Sequence, residues 1–305
     1  MLKKFYIFDF FKYHSIKVLR IFNKKITKLF LIYYKNKLPE NLLKIMKNNR
    51  EFLHTIKDFI PESEYHPENN NYGIQNHIYL NLKKDIDLFP TNTDILIFLL
   101  NQIGLSNLNY LEIGTSVFKN FQQIENVLDD SILFAYDINE PVSIIKQKYD
   151  FNTVKEVLSG QEYLYSKRNN EIIYFKNDVL SKDGAEIFKN LLKQKIDIVF
   201  SDALHSEIGI LSEYFNIIKG NLSENFIYYF DDLNLYDVQS GVEKVFKDLN
   251  LHKKQTIKFF TFWSYGWVGQ YEALHKIGLI SNIDFGDIFK QQNLKLPFFK
   301  EIFDE

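Results

Sequence analysis

Four short apolar runs in this chain each end in or beside a carboxylate. Asn109 to Gly114 reads Asn-Tyr-Leu-Glu-Ile-Gly, carrying Glu112 and stopping on Gly114. Ile132 to Asp137, Ile196 to Asp202 and Phe226 to Asp232 follow, the last stopping on the adjacent pair Asp231-Asp232. Buried parallel strands read as near-continuous hydrophobic runs. In an open α/β sheet the ligand sits outside their carboxyl ends. Acids delivered repeatedly to that edge point to a ligand site, although any one of them could also cap a helix N-terminus. The Asp231-Asp232 pair is harder to assign to capping, because two adjacent carboxylates repel unless a cation or exposure relieves them.

The elements that must carry these acids alternate along the chain. A helical stretch at Asn41 to Phe59 stops at Pro61, and the turn-rich segment Pro61 to Tyr72 reads as a loop. Thr93 to Ile103 reads as a helix capped by Asn92 or Thr93. From Asn109 onward, strands ending at Asp137, Lys176, Ser201 and Phe230 alternate with helices at 120–127, 142–149, 185–192, 208–218 and 242–249. Ile257 to Ser264 and Tyr271 to Leu279 supply a closing antiparallel hairpin. Strand–helix alternation implies a parallel sheet with right-handed crossovers. The fold class expected is α/β, a doubly wound and mostly parallel sheet with an N-terminal helical extension. The divisions expected are 1–72 for that extension and its linker, 73–285 for the main domain and 286–305 for a tail.

Composition narrows the function classes. Apolar residues make up 46% and charged residues 25%, an ordinary globular balance, and the net charge of −2 gives no drive toward nucleic acid. The chain has no cysteine, which excludes disulfides, thiolate nucleophiles and cysteine-ligated zinc. No stretch is long and apolar enough for a transmembrane helix, and Asp9 and Lys12 break the only signal-like run, so a cytoplasmic location is expected. Residues 1–37 hold ten Lys or Arg against one acid, with an apolar stripe at helical spacing. Two readings stand for that segment. It lies on an anionic inner-membrane surface as a peripheral contact or on a lipid-linked substrate, or it packs on its own domain or on a second copy.

The segment Tyr110-Leu-Glu-Ile-Gly-Thr-Ser116 resembles the first motif of class I S-adenosylmethionine-dependent methyltransferases. Asp137 lies 25 residues past Glu112, as suits an acid that binds ribose hydroxyls. Asn177-Asp178 matches the family's adenine-side position, and Asp202-Ala-Leu-His-Ser-Glu207 resembles its fourth-strand motif. Phe230-Asp-Asp-Leu and Gly241-Val-Glu-Lys resemble the fifth-strand end and the helix beyond it. The resemblance spans roughly Thr93 to Leu249 and implies a Rossmann-like methyltransferase fold with S-adenosylmethionine as cofactor. Glu112, Gly114, Ser116, Asp137, Asp178 and Asp202 are then implied as its binding residues.

Within that family the pattern is most similar to metal-dependent O-methyltransferases acting on sugars or small phenols. The resemblance implies Mg²⁺ held by Asp202, Asp231 and Asp232, and His205 as the base that takes the acceptor's proton. The acceptor implied is a saccharide or other small molecule. Departures are Phe118 and Ser116 where the family's first turn has glycines, Ala203 for a glycine, and Glu207 for a tyrosine. Phe118 either narrows the pocket or turns inward, and the alternative to an enzyme is a binding or assembly protein that has lost catalysis. Trp263, Tyr265 and Trp267 line an acceptor pocket or pack in the hairpin; His66, His77 and His252 lack ligand-like spacing.

Overall fold

Strand β1 (Asn109–Ile113) is buried at every residue, and its side chains divide between the two faces of the sheet. Tyr110 faces one hydrophobic layer while Leu111 and Ile113 face the other, as the two-residue period of a strand requires. A computed structural model describes residues 38–56, 90–149, 154–157, 160–167, 169–252, 256–265 and 274–303. The basic segment 1–37, the linker 61–72, His66, His77 and Trp267 lie outside the described residues, as does the side chain of His252.

Around β1, strands β2 (Ile132–Asp137), β5 (Asn170–Lys176), β6 (Ile196–Ser201) and β7 (Leu222–Phe230) pair in parallel. The hairpin of β8 (Lys258–Ser264) and β9 (His275–Ser281) joins antiparallel through β9 against β7. A second antiparallel pair, β3 (Val154–Val157) and β4 (Gly160–Lys167), extends the other edge beyond β5. The order across the sheet is β10-β8-β9-β7-β6-β1-β2-β5-β4-β3, where β10 is Lys300–Ile302. The β3–β4 hairpin and β10 were not foreseen from sequence. Part of the expected tail forms α8 (Phe285–Gln291) and β10, so it contributes an edge to the same sheet.

Helices cover both faces. Layer one packs α1 (Glu40–Thr55), α2 (Asn92–Ile103), α3 (Lys119–Glu125), α4 (Ser143–Tyr149) and α8 against the sheet. Layer two packs α5 (Lys182–Leu191), α6 (Glu207–Ser212) with the π-helical turn Glu213–Ile218, and α7 (Tyr236–His252). The helix expected at 208–218 is therefore two segments, and the one expected at 242–249 starts a turn and a half earlier. Gly241 permits that extension: a Cβ there would stand 2.9 Å from Ile210, so the bare Cα lets α7 close on α6.

The cap of α2 is Thr91, where Asn92 or Thr93 was expected. Thr91 Oγ1 accepts the Asp94 N–H at 3.2 Å and Asp94 Oδ2 accepts the Thr91 N–H at 2.9 Å, a reciprocal capping box. Asp94 has further work. Arg50 of α1 donates to both its oxygens, at 2.9 and 2.7 Å, and Asn49 adds a third bond at 2.7 Å. Both partners are nearly inaccessible, and this pair binds the described part of the N-terminal extension to the main domain. Burial alone would raise the Asp94 carboxyl, but Arg50 and the hydrogen bonds hold it below its ordinary value.

Removing one member of a buried pair strands the other. Arg50→Ala is expected to cost about 3–5 kcal/mol, read from denaturant unfolding. The depressed Asp94 pKa also sets a pH signature. Its stabilisation is present above the unfolded value of about 3.9 and fades as pH falls through the folded value. Asp94→Asn is expected to be less stable at neutral pH and to lose that part of the acid slope.

Candidate functional site

The carboxyl ends of β1, β2, β6 and β7 are stitched by backbone bonds that continue past the strands. Gly114 N–H donates to Tyr136 O at 2.8 Å, Asp202 N–H to Ile113 O at 2.9 Å, and Asp231 N–H to Ser201 O at 3.1 Å. Gly114 has φ +89°, and a Cβ there would overlap the carbonyl of Asp202. Only glycine fits both conditions. The chain then turns through Ser116 and Phe118, with φ +48° and +62°. Phe118 points inward. Its ring lies 5.1 Å from Phe121 and 5.6 Å from Tyr174, fully buried in the core and away from the cavity. That packing holds a bulky residue in a conformation that is otherwise unfavourable for it.

At this edge lies a cavity of about 630 Å³. Glu112, Gly114, Ser116, Asp137, Asp178, Asp202, His205, Asp231 and Asp232 all line it, so the residues named from sequence share one cavity. They fall into two halves. Glu112, Asp137 and Asp178 lie toward β1, β2 and β5, with Ile138 and Leu180 exposed beside them. Asp202, His205, Asp231 and Asp232 lie toward β6 and β7. Trp263 and Tyr265 do not line the cavity: Trp263 packs edge-on against Phe298, and Tyr265 is buried with its backbone bonded to Asn92.

Asp137 is anchored by the turn after β1. Its Oδ2 accepts the Ser116 N–H at 2.8 Å and the Thr115 hydroxyl at 3.4 Å, and Oδ1 accepts the Asn139 N–H at 2.9 Å. Burial raises this carboxyl above its ordinary value against those bonds. Glu112 is raised further, chiefly by burial, while a 2.6 Å bond from the Tyr110 hydroxyl pulls the other way. Across from it, burial lowers Lys119 to about 8, opposed by Asp202, Asp231 and Glu112. Lys119 was missed from sequence; as the first residue of the helix after the turn, it is carried into the cavity wall.

His275 was missed as well. It projects from β9, and its Nδ1 stands 2.9 Å from Asp231 Oδ1 and 3.0 Å from Asp232 Oδ1. Burial would lower it, but the two carboxylates raise it to about 10. His205 Nε2 lies 3.3 Å from Asp202 Oδ1 and 3.5 Å from Asp232 Oδ2, and the bond to Asp202 lifts it to about 9. Asp231 Oδ2 accepts from Asn92 Nδ2 at 2.9 Å, and its Oδ1 also accepts the Asp232 N–H at 2.7 Å.

The three acids that the resemblance implies for Mg²⁺ divide between two clusters that share Asp232. Asp202, Asp231 and Asp232 do not bring one oxygen each to a common point among the described residues. The groups that do converge are Asp202–His205–Asp232 and Asp231–Asp232–His275, each containing an imidazole. Each cluster offers two carboxylates and one imidazole, a donor set that could hold a divalent cation together with water.

Beneath the cavity, Ser201 donates to Glu213 Oε2 at 2.5 Å, and burial raises Glu213 to about 8. Folding therefore takes up a proton there. The stabilisation is complete below the unfolded value of about 4.3 and is lost as pH rises to about 8. Glu213→Gln keeps the shape without the charge. Relative to this variant, the parent protein is expected to lose melting temperature steadily between pH 5 and 8.

No protein-family model matches the chain, and no curated protein matches it. Solved structures do show likeness. Magnesium protoporphyrin IX methyltransferase ChlM from Synechocystis, solved with bound S-adenosylmethionine, is 13% identical over 78% of this chain and 96% of its own, with a TM-score of 0.41. Precorrin 8W decarboxylase from Methanobacterium thermoautotrophicum is 12% identical over 63% of this chain and 90% of its own, at 0.38. TrmN from Thermus thermophilus is 9% identical over 63% and 49%, at 0.36. Likeness at this level decides neither reaction nor substrate.

Proposed function

We propose that this chain binds S-adenosylmethionine over the ends of β1 and β2 and transfers its methyl group to a hydroxyl of a small acceptor, a saccharide or a phenol. The observation that carries the reading is Asp137. Asp137 is 7% exposed, lines the cavity and is oriented by the Ser116 and Asn139 N–H groups and the Thr115 hydroxyl, which leave a lone pair of Oδ1 for a further donor. A ribose hydroxyl supplies such a donor. Ile138 and Leu180 offer apolar surface to a flat base, and Asp178 stands beside Leu180 to accept from an amino group. Glu112 and Gly114 line the far wall, where the amino-acid end of the cofactor would lie.

The half of the cavity that holds Asp202 and His205 would then receive the acceptor. As the acceptor oxygen forms its bond to carbon, the carbon–sulfur electron pair goes to sulfur and the hydroxyl proton goes to His205. His205 holds a proton at rest, with its pKa raised to about 9 by Asp202. The base form grows as pH rises, so transfer is expected to accelerate toward about pH 9. The Asp202, Asp231 and Asp232 carboxylates would hold Mg²⁺, which would lower the pKa of the acceptor hydroxyl. The alternative, a binding protein without catalysis, rested on Phe118 closing the pocket; that ring lies in the core.

Two variants test this reading with radiolabelled S-adenosylmethionine. Asp137→Ala is expected to weaken cofactor binding by roughly 1.5–3 kcal/mol, the range for charge-assisted bonds. His205→Ala is expected to bind cofactor as the parent does and to turn over about 10²–10⁴-fold more slowly on an acceptor found by screening sugars and phenols. Unchanged binding in the first variant, or full activity in the second, removes that residue from the scheme.

A further inference from the structure

Eleven large apolar side chains stay exposed among the described residues, and six of them lie on the loops that leave β2, β5, β6 and β7 or in the first turn of the helix that follows. They are Ile138, Leu180, Leu204, Ile208, Leu235 and Tyr236. Apolar residues left singly on a surface need no explanation, whereas a group of them rimmed by polar residues marks a place where something binds. Ile138 and Leu180 flank the half of the cavity assigned above to the nucleoside. The other four border the half that holds Asp202, His205 and Asp232. Leu204 stands between Ala203 and His205 in the cavity wall and packs on the first turn of α6, where a Cβ added to Gly209 would come within 2.7 Å of the Leu204 Cβ. Ile208, 68% exposed, follows Glu207 in that turn, and the Glu207 carboxylate accepts from Ser240 and Lys244 of α7. Tyr236, 84% exposed, lies one turn before Ser240 on the same face of α7. Leu235 precedes it, with its N–H bonded to Asp232 O at 2.9 Å.

We infer that the acceptor carries an apolar chain joined to its hydroxyl-bearing head, and that Leu204, Ile208, Leu235 and Tyr236 form the seat for that chain. The inference rests on the methyl-transfer reading above, since it concerns what lies against the acceptor half of the same cavity. The division of side chains within each loop carries it. In the loop after β6, Asp202 and His205 line the cavity while Leu204 lies between its wall and α6. In the loop after β7, Asp232 lines the cavity while Leu235 and Tyr236 are exposed. A hydroxyl among the carboxylates therefore has polar partners, and whatever is attached to it leaves over aliphatic and aromatic surface. A second sugar ring on that path would lose water without gaining hydrogen bonds from those side chains. An alkyl chain gives up no hydrogen bond there and is drawn in by the burial of its own surface. A second copy of the protein would also cover apolar surface. Leu204 belongs to the cavity wall itself, however, so a protein face seated on it would close the half of the cavity that the acceptor must enter.

The test is calorimetric titration of the full chain with two probes that share a head, methyl β-glucoside and hexyl β-glucoside, the latter kept below micelle formation. Hexyl glucoside is expected to bind saturably and at least about tenfold more tightly than methyl glucoside. Ile208 and Tyr236 lie outside the catalytic and cofactor-binding residues. The double variant Ile208→Asn, Tyr236→Asn is therefore expected to keep the parent's melting temperature and its affinity for S-adenosylhomocysteine while losing the preference for the hexyl probe. Equal affinity for the two glucosides in the parent, or binding of neither, overturns the inference, as does a preference that survives the double substitution. A parent dimer in sedimentation that the double variant converts to monomer also overturns it, because the face would then belong to a second copy. The glucoside titrations are run without cofactor, which separates two failures. A parent that prefers hexyl glucoside but ignores S-adenosylhomocysteine overturns methyl transfer and not the apolar seat. One that binds S-adenosylhomocysteine and shows no preference overturns the seat and not methyl transfer. If the double variant does not fold, the comparison of the two glucosides on the parent still decides the question.

Discussion

The bare Cα of Gly114 lets the end of β1 lie against the carbonyl of Asp202 at the end of β6. Any side chain there would force the two strand ends apart. Three features of the site depend on that contact. The Gly114 N–H reaches Tyr136, which brings the end of β2 alongside; the turn that follows delivers the Ser116 N–H to Asp137; and the Asp202 N–H stays bonded to Ile113. The two halves of the cavity share a wall because these strands are held this close. A glycine at a strand end is here a condition for a site between strands, not merely a turn residue.

The second constraint is electrostatic. An α/β sheet that turns six acids toward one cavity must manage their burial, and the five at the ends of β1, β2, β6 and β7 are met in three ways. Glu112 gains a hydrogen bond from Tyr110 on the same face of β1 and is shifted toward its neutral form. Asp137 is met by backbone N–H groups. Asp202, Asp231 and Asp232 are met by His205 and His275. The chemistry proposed for the cavity follows from that division. Its β1–β2 half presents acceptors for neutral donors such as hydroxyls, and its β6–β7 half sets the His205 imidazole among carboxylates, next to where an acceptor would sit.

Much of this was legible in the sequence, for a physical reason. The central parallel strands are buried on both faces, so they appear as uninterrupted apolar runs, and their final acids mark the ligand edge. The nine site residues that the resemblance implied all line one cavity. What escaped was whatever depends on partners distant in sequence. His275 lies 44 residues from Asp231 on a strand of the closing hairpin, and nothing local to it signals an acid pair. Thr91 caps α2 because the Asn92 side chain is drawn instead to Asp231, far along the chain. The π-helical turn after α6 coincides with a buried carboxyl bonded to Ser201, which periodicity does not reveal. Phe118 could be read as blocking or as inward from sequence, and only its neighbours Phe121, Tyr149 and Tyr174 decide for the core.

The central claim is that the β1–β2 half of the cavity is a nucleoside site whose hydroxyls rest on Asp137. A crystal structure of the protein with S-adenosylhomocysteine tests it most directly. The account predicts the ribose within hydrogen-bond distance of Asp137, the base between Ile138 and Leu180, and the sulfur directed toward Asp202 and His205. A nucleoside bound elsewhere, or an empty cavity at saturating ligand, would contradict it.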